Sequence, residues 1–152
     1  MHGFEAFPSL ECLWLNDNRL RQIDNLDANC RVRELYVHRN VLTSLEGSLR
    51  RFKFLQILDL SENELTGLTS IIEQLAGFRC LEQLTLRGNP CCQEANYRDN
   101  VLAALPSLEV FDSHVVTLHE RKQVRAAGPA QQNDMPEVSA STGTMHCSWT
   151  CV

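Results

Sequence analysis

Apolar residues in this chain recur in a fixed frame that is neither a plain alternation nor a helical stripe. From Leu55 they stand at relative positions 1, 4, 6 and 11 (Leu55, Leu58, Leu60, Leu65), and Asn63 stands at position 9. The same frame fits Leu10, Leu13, Leu15, Leu20 with Asn18. It fits Val32, Leu35, Val37, Leu42 with Asn40, and Leu81, Leu84, Leu86, Cys91 with Asn89. Positions 4 and 6 are two apart, so on a short strand both side chains point to one side, into a core. An asparagine three residues after position 6 can turn the chain out of the strand. Its amide both donates and accepts, so Asn18, Asn40, Asn63 and Asn89 are expected to stack as a ladder that satisfies backbone groups at the strand ends. One such unit cannot bury its own apolar face, whereas stacked units bury a continuous one.

The four copies resemble the leucine-rich repeat, L-x-x-L-x-L-x-x-N-x-L, and that resemblance implies a right-handed α/β solenoid. About five short parallel strands would line its concave face, with 3₁₀ turns or short helices on the convex face and a helical C-terminal cap. Repeats begin at Leu10, Val32, Leu55 and Leu81. The first spacing, 22 residues, matches the short class of repeat. Leu20, Ile23 and Leu26 follow at three-residue intervals, the period of a 3₁₀ return. Leu68, Ile71, Ile72, Leu75 and Phe78 have helical spacing, so the third return is expected to hold an α-helix.

After Asn89-Pro90 the period breaks. Tyr97, Val101, Leu102 and Leu105 give one apolar helical face, and Pro106 ends that helix. Leu108 to Asp112 supplies a last short strand. Thr117 and Glu120 have the spacing of a capping box. This run resembles the C-terminal cap of the short-repeat class, whose members include the protein phosphatase 1 regulator, the spliceosomal A-prime protein and an axonemal dynein light chain. Tyr97, Leu105 and Phe111 would close the last leucine layer. The chain thus divides into 1–9, a remnant of a preceding repeat; 10–89, the repeats; 90–124, the cap; and 125–152, a tail rich in Ala, Gly, Ser and Gln that reads as disordered. No polar cap is visible before Leu10. Either the chain is a fragment or short form of a longer product, or a partner covers Phe4, Phe7, Leu10, Leu13 and Leu15, and self-association through that edge is expected.

Outward positions carry the candidate chemistry. Position 5 is Trp14, Tyr36, Asp59, Thr85 and Asp112; position 3 is Cys12, Glu34, Ile57, Gln83 and Val110. Position 7 is Asn16, His38, Ser61 and Arg87; position 8 is Asp17, Arg39, Glu62 and Gly88. Strands ~4.8 Å apart put Trp14 beside Tyr36, with Ile57 diagonal to them and His38 and Arg39 at the rim. Exposed aromatics beside an arginine have the composition of a protein-binding hot spot. The plainer alternative is that the two rings only stack and flatten the sheet. The predicted partner-binding strip is therefore Trp14, Tyr36, Ile57, His38, Arg39, Asp59, Glu62, Thr85 and Arg87.

Catalysis, metal and cofactor binding find little support in the sequence. The one cysteine–histidine candidate, Cys12 with His38, is separated by ~13 Å along neighbouring strands, beyond reach for a nucleophile and its base. No Gly-rich phosphate loop or H-E-x-x-H is present. Cys91-Cys92 has no second pair at zinc spacing, and His146, Cys147 and Cys151 read as incidental to the tail. No metal site and no cofactor are expected. The seven cysteines, without a secretory signal, read as reduced thiols of an intracellular protein. Net charge is −5, and the basic group Arg50, Arg51 and Lys53, near Arg31 and Arg33, reads as a solvated face, so direct nucleic-acid binding is not expected. No apolar run is long enough to span a membrane. The ending Thr150-Cys151-Val152 resembles the Ser/Thr-x-Val that PDZ domains accept by strand addition.

The resulting expectation is a non-catalytic protein-binding scaffold or regulatory subunit, with a partner unspecified by the residues. Resemblance to the short-repeat class implies cytoplasm, nucleus or cilium. Two alternatives stand beside it: a ribonucleoprotein assembly subunit that meets RNA only through a protein partner, and a truncated isoform without independent function.

Overall fold

A computed structural model describes residues 3–127. Strands β1 (Cys12–Trp14), β2 (Glu34–Tyr36), β3 (Ile57–Asp59), β4 (Gln83–Thr85) and β5 (Val110–Phe111) pair in parallel and in chain order. β6 (His114–Val115) closes the sheet antiparallel to β5. The register is the repeat frame itself: Cys12, Glu34, Ile57 and Gln83 lie side by side, as do Leu13, Leu35, Leu58 and Leu84, and Trp14, Tyr36, Asp59 and Thr85. β1 to β4 are only three residues each, so one central leucine points inward and its neighbours outward. Leu35, Leu58, Leu60 and Leu65 are fully buried. Cys91, at a core leucine position, is buried too, and burial pushes its thiol up to about 12.

The returns differ from copy to copy. The third carries α1 (Leu68–Leu75), as its spacing predicts, with Leu68, Ile71 and Leu75 buried. The second carries a 3₁₀ turn at Ser48–Arg51. The first does not follow the expected 3₁₀ path. Residues 20–28 run as turns and extended chain, and Ile23 bridges Gly47 in parallel. The reason lies in the neighbour: the Ile23 carbonyl accepts from Ser48 N–H at 2.8 Å, and Leu26 N–H donates to the buried Ser48 hydroxyl at 3.1 Å. These bonds between repeats replace the local ones a 3₁₀ turn would make.

A second layer was hidden from the leucine frame. Three residues before each repeat start stand Phe7, Asn29, Phe52, Phe78 and Leu105, and each carbonyl accepts from the N–H of the repeat's first residue. Phe52, Phe78 and Leu105 are buried in the core. Asn29 is buried as well, and its amide donates to the Phe4 and Phe7 carbonyls at 3.0 and 2.8 Å. It thereby ties the N-terminal segment, with its 3₁₀ turn at Phe4–Ala6, onto the stack.

At the C-terminal end, α2 (Tyr97–Ala104) buries Val101 and Leu102, and α3 (Leu118–Ala127) packs against it. Leu105 and Phe111 are buried, and Tyr97 is packed on the core with its ring 5.3 Å from that of Phe111. Burial raises the Tyr97 phenol, whose hydroxyl donates to Asp112 Oδ2 at 2.8 Å. Arg98 bonds Glu120 and the Phe111 carbonyl, and Arg121 bonds the Leu108 carbonyl. The Thr117–Glu120 box forms reciprocally, with Thr117 N–H donating to Glu120 Oε2 and Glu120 N–H to Thr117 Oγ1. α3 runs to Ala127, so its last turn uses residues assigned to the tail from composition. The PDZ-like ending and His146, Cys147 and Cys151 lie outside the described residues.

Candidate functional site

The asparagines are placed by the stacking of repeats. Asn40, Asn63 and Asn89 are buried, and each reaches into the repeat before its own. Their Oδ1 atoms accept from Leu20, Leu42 and Leu65 N–H at 2.9, 3.1 and 3.0 Å. Their Nδ2 groups donate to a carbonyl of the preceding repeat (Leu15, Val37, Leu60) and to one of their own (Val37, Leu60, Leu86). Asn18 differs from the ladder reading. It is exposed and bonds only within its own turn, to the Leu15 and Asn16 carbonyls. A ladder asparagine needs a repeat before it, and no such layer is among the described residues.

Beside each asparagine, position 8 is left-handed: Asp17, Arg39, Glu62 and Gly88 have φ of 56, 54, 53 and 80°. The leucine frame carries no sign of this conformation. It stacks the side chains as a charge row, with Arg39 3.5 Å from Asp17 and 3.1 Å from Glu62. The hydrogen bond from Arg39 to Glu62 raises its guanidinium further, and the Asn16 amide lowers the Asp17 carboxyl. Arg39 and Glu62, read as partner contacts, are therefore paired with each other. At Gly88 a Cβ would come within 3.1 Å of Glu62 Cγ.

On the concave face Trp14 and Tyr36 stack, ring centroids 4.1 Å apart and 20° between planes. Trp14 is nevertheless 63% exposed, because β1 is the sheet's edge and nothing described covers the ring's other side. The pair is held from the neighbouring outward row of the same two strands. Trp14 Nε1 donates to Cys12 Sγ at 3.0 Å, and Tyr36 hydroxyl donates to Glu34 Oε2 at 3.2 Å. Burial raises the Cys12 thiol, the indole N–H works against that, and Glu34 adds to it. Burial and Glu34 raise the Tyr36 phenol. Ile57 is diagonal to Tyr36 but two strands from Trp14, so it borders only one of the rings.

Asp59 organises the next stretch. Its Oδ1 accepts from Ser61 N–H at 3.0 Å and Ser61 hydroxyl at 2.7 Å, and His38 Nδ1 lies 3.3 Å from Oδ2, off the line of a hydrogen bond. Hydroxyl and imidazole both face the carboxylate. Neither is set to deprotonate the other, the arrangement a nucleophile and base require. Thr85 is half-buried in line with Asp59, and Arg87 is exposed beyond it. Asp112, counted above as the outward residue of the fifth strand, is not one. The chain turns there at φ 49°, and its carboxylate accepts from Leu86 and Arg87 N–H at 2.8 and 3.1 Å. It stands where each earlier strand offers a position-5 carbonyl to the strand before it.

Among the described residues no group of three or more His, Cys, Asp or Glu is placed to hold a metal ion, and the five cysteines are free thiols. No helix among them is long and apolar enough to cross a membrane.

A family model described as leucine-rich repeat matches residues 5–135. The chain belongs to the leucine-rich-repeat family. This leucine-rich-repeat chain is 33% identical over 112 residues to a probable U2 small nuclear ribonucleoprotein A' of Caenorhabditis elegans, covering 73% of itself and 44% of that protein. It is 36% identical over 146 residues to dynein axonemal assembly factor 11 of Trypanosoma brucei brucei, covering 82% of itself and 38% of that protein. It thus spans less than half the length of either. Among solved structures it resembles one chain of the Drosophila melanogaster SNF/U2A' complex, with a TM-score of 0.73 and 27% identity, over 80% of this chain and 70% of that one.

Proposed function

We propose that this chain is a non-catalytic protein-binding module that seats its partner on the concave sheet around Trp14 and Tyr36. The observation that carries the reading is an indole 63% exposed yet fixed in place, stacked on Tyr36 and hydrogen-bonded to Cys12. Fixed, exposed aromatics bury large area with little loss of freedom on binding, and truncating such an anchor typically costs ~2 kcal/mol or more of affinity. Ile57, Asp59, Thr85 and Arg87 extend the strip across β3 and β4. His38, Arg39 and Glu62 form its rim, where the charge row can re-pair with a partner. A protein as the partner is in keeping with the similarity to a fly chain crystallised in a complex. An intracellular setting, nuclear or axonemal, fits the names of the relatives.

The test is affinity capture with quantitative mass spectrometry, comparing wild type with a Trp14→Ala, Tyr36→Ala double variant. A set of proteins held by wild type and lost from the variant is expected. An identical set from both would place the binding elsewhere. A second reading, a subunit of a ribonucleoprotein assembly, is favoured by the likeness to U2 A' proteins. In that case RNA should co-purify only through the captured protein, and the isolated chain should show no salt-dependent RNA binding.

A further inference from the structure

We propose a second docking surface, on the rim where the chain enters β2 and β3, which takes a short acidic segment of a partner protein through Arg31, Arg33 and Phe54. Together with Glu11 these residues line a depression of about 270 Å³. Glu11 and Arg31 belong to the first repeat and Arg33 and Phe54 to the second, so the groove crosses from one layer of the stack to the next. Backbone bonds set its spacing: Arg33 N–H donates to the Glu11 carbonyl at 2.7 Å, and Gln56 N–H to the Arg33 carbonyl at 2.7 Å.

Phe54 is the first sign that this rim is more than a solvated edge. Phe52, two residues earlier, is fully buried, and Phe78 nearly so, whereas Phe54 is 57% exposed. It adds nothing to the leucine stack. The second sign is charge. Arg39, Arg51 and Arg98 each pair with a carboxylate. Arg31 and Arg33 pair with none among the described residues, although Glu11 lines the same depression. Exposed Lys53 adjoins Phe54 in sequence. In a chain of net charge −5, two arginines in no ion pair among the described residues line the same depression as an exposed phenyl ring.

Guanidinium forks match carboxylates in a bidentate geometry, and a phenyl ring gives the apolar anchor such a contact otherwise lacks. The depression has room for a few side chains. A nucleic acid is less well matched, because a polyanion binds through many phosphate contacts and would meet Glu11 and an acidic protein around them. The surface differs from the concave strip. Arg31, Arg33 and Phe54 precede the strands, while Trp14 and Tyr36 project from them.

The test is fluorescence anisotropy with a labelled short peptide of alternating glutamate and phenylalanine, a matching peptide with glutamine for glutamate, and a labelled oligouridylate. Wild type is expected to bind the acidic peptide, more weakly in raised salt, and to prefer it to both others. Arg31→Gln, Arg33→Gln should weaken that binding by about tenfold, the scale set by removing paired interfacial charges. Phe54→Ser should also weaken it, and Trp14→Ala, Tyr36→Ala should leave it intact. All substituted side chains here are exposed or half-buried, and circular dichroism melts verify folding. The proposal fails if the acidic peptide does not bind, if the Arg31 and Arg33 or Phe54 changes leave its affinity unmoved, or if oligouridylate is preferred. Loss in the Trp14, Tyr36 variant alone would also overturn it, by assigning the peptide to the concave strip.

Discussion

Replacing Asn63 by alanine removes four hydrogen bonds at the centre of the stack. Leu42 N–H loses its acceptor at 3.1 Å, and the Val37, Leu60 and Ser61 carbonyls lose a donor at 3.0, 2.9 and 3.1 Å. The losses are unequal. Val37 O still accepts from Asn40, and Leu60 O from Asn89. Leu42 N–H is orphaned in a buried position, which costs ~1–3 kcal/mol, and each lost carbonyl bond adds ~0.5–1.5 kcal/mol. The sum is ~2.5–7.5 kcal/mol, a large part of the ~5–15 kcal/mol that holds a domain together. Asn18→Ala removes a residue of the same motif position, but one that bonds only within an exposed turn. Its cost should stay near ~0.5–1 kcal/mol. Urea denaturation followed by far-ultraviolet circular dichroism, with both variants beside wild type, measures the contrast. Equal midpoint shifts for the two variants would refute the claim that bonding between repeats, rather than the local turn, gives the asparagine its value.

Leu60→Ala, at a fully buried position, should cost ~2–5 kcal/mol in the same assay; under ~1 kcal/mol would contradict its place at the centre of the core. Gly47→Ala should be severe. Gly47 has φ 117°, and a Cβ would meet Asp24 Oδ1 at 2.5 Å and the Ile23 carbonyl oxygen at 2.6 Å, so the bridge between the first two returns must open. Gly67→Ala, with open space around its Cβ, should cost only the strain of a left-handed backbone, ~1 kcal/mol; thermal melts distinguish them. Glu120 is held below its ordinary value of 4.5 mainly by the Thr117 backbone N–H. Its stabilisation is therefore full above that value and lost as pH falls through the lower folded value. Glu120→Gln should flatten that acid limb in melts recorded across pH, and an unchanged limb would count against the capping box. Half-buried Leu10, Leu15 and Leu20 at the β1 edge should promote self-association at high concentration, which sedimentation velocity would reveal; a monodisperse monomer would speak against it.

The order, register and inward faces of the strands followed from the sequence because their cause is local and repeated. A three-residue strand admits one inward side chain, and the same frame at Leu13, Leu35, Leu58 and Leu84 leaves one way to stack them. The cap was legible for the same reason, since a helical face and a capping box are short-range patterns. Tertiary structure decided everything that depends on a neighbouring repeat. It separated Asn18 from Asn40, Asn63 and Asn89, although all four share one motif position. It drew Ile23 into a bridge with Gly47 in place of a 3₁₀ turn. It turned Asp112 from a concave residue into a stand-in for a backbone carbonyl. It also paired Arg39 with the carboxylates on either side. In each case the partner is 20 or more residues away, so local periodicity contains no term for it. The layer stacked above or below supplies that term.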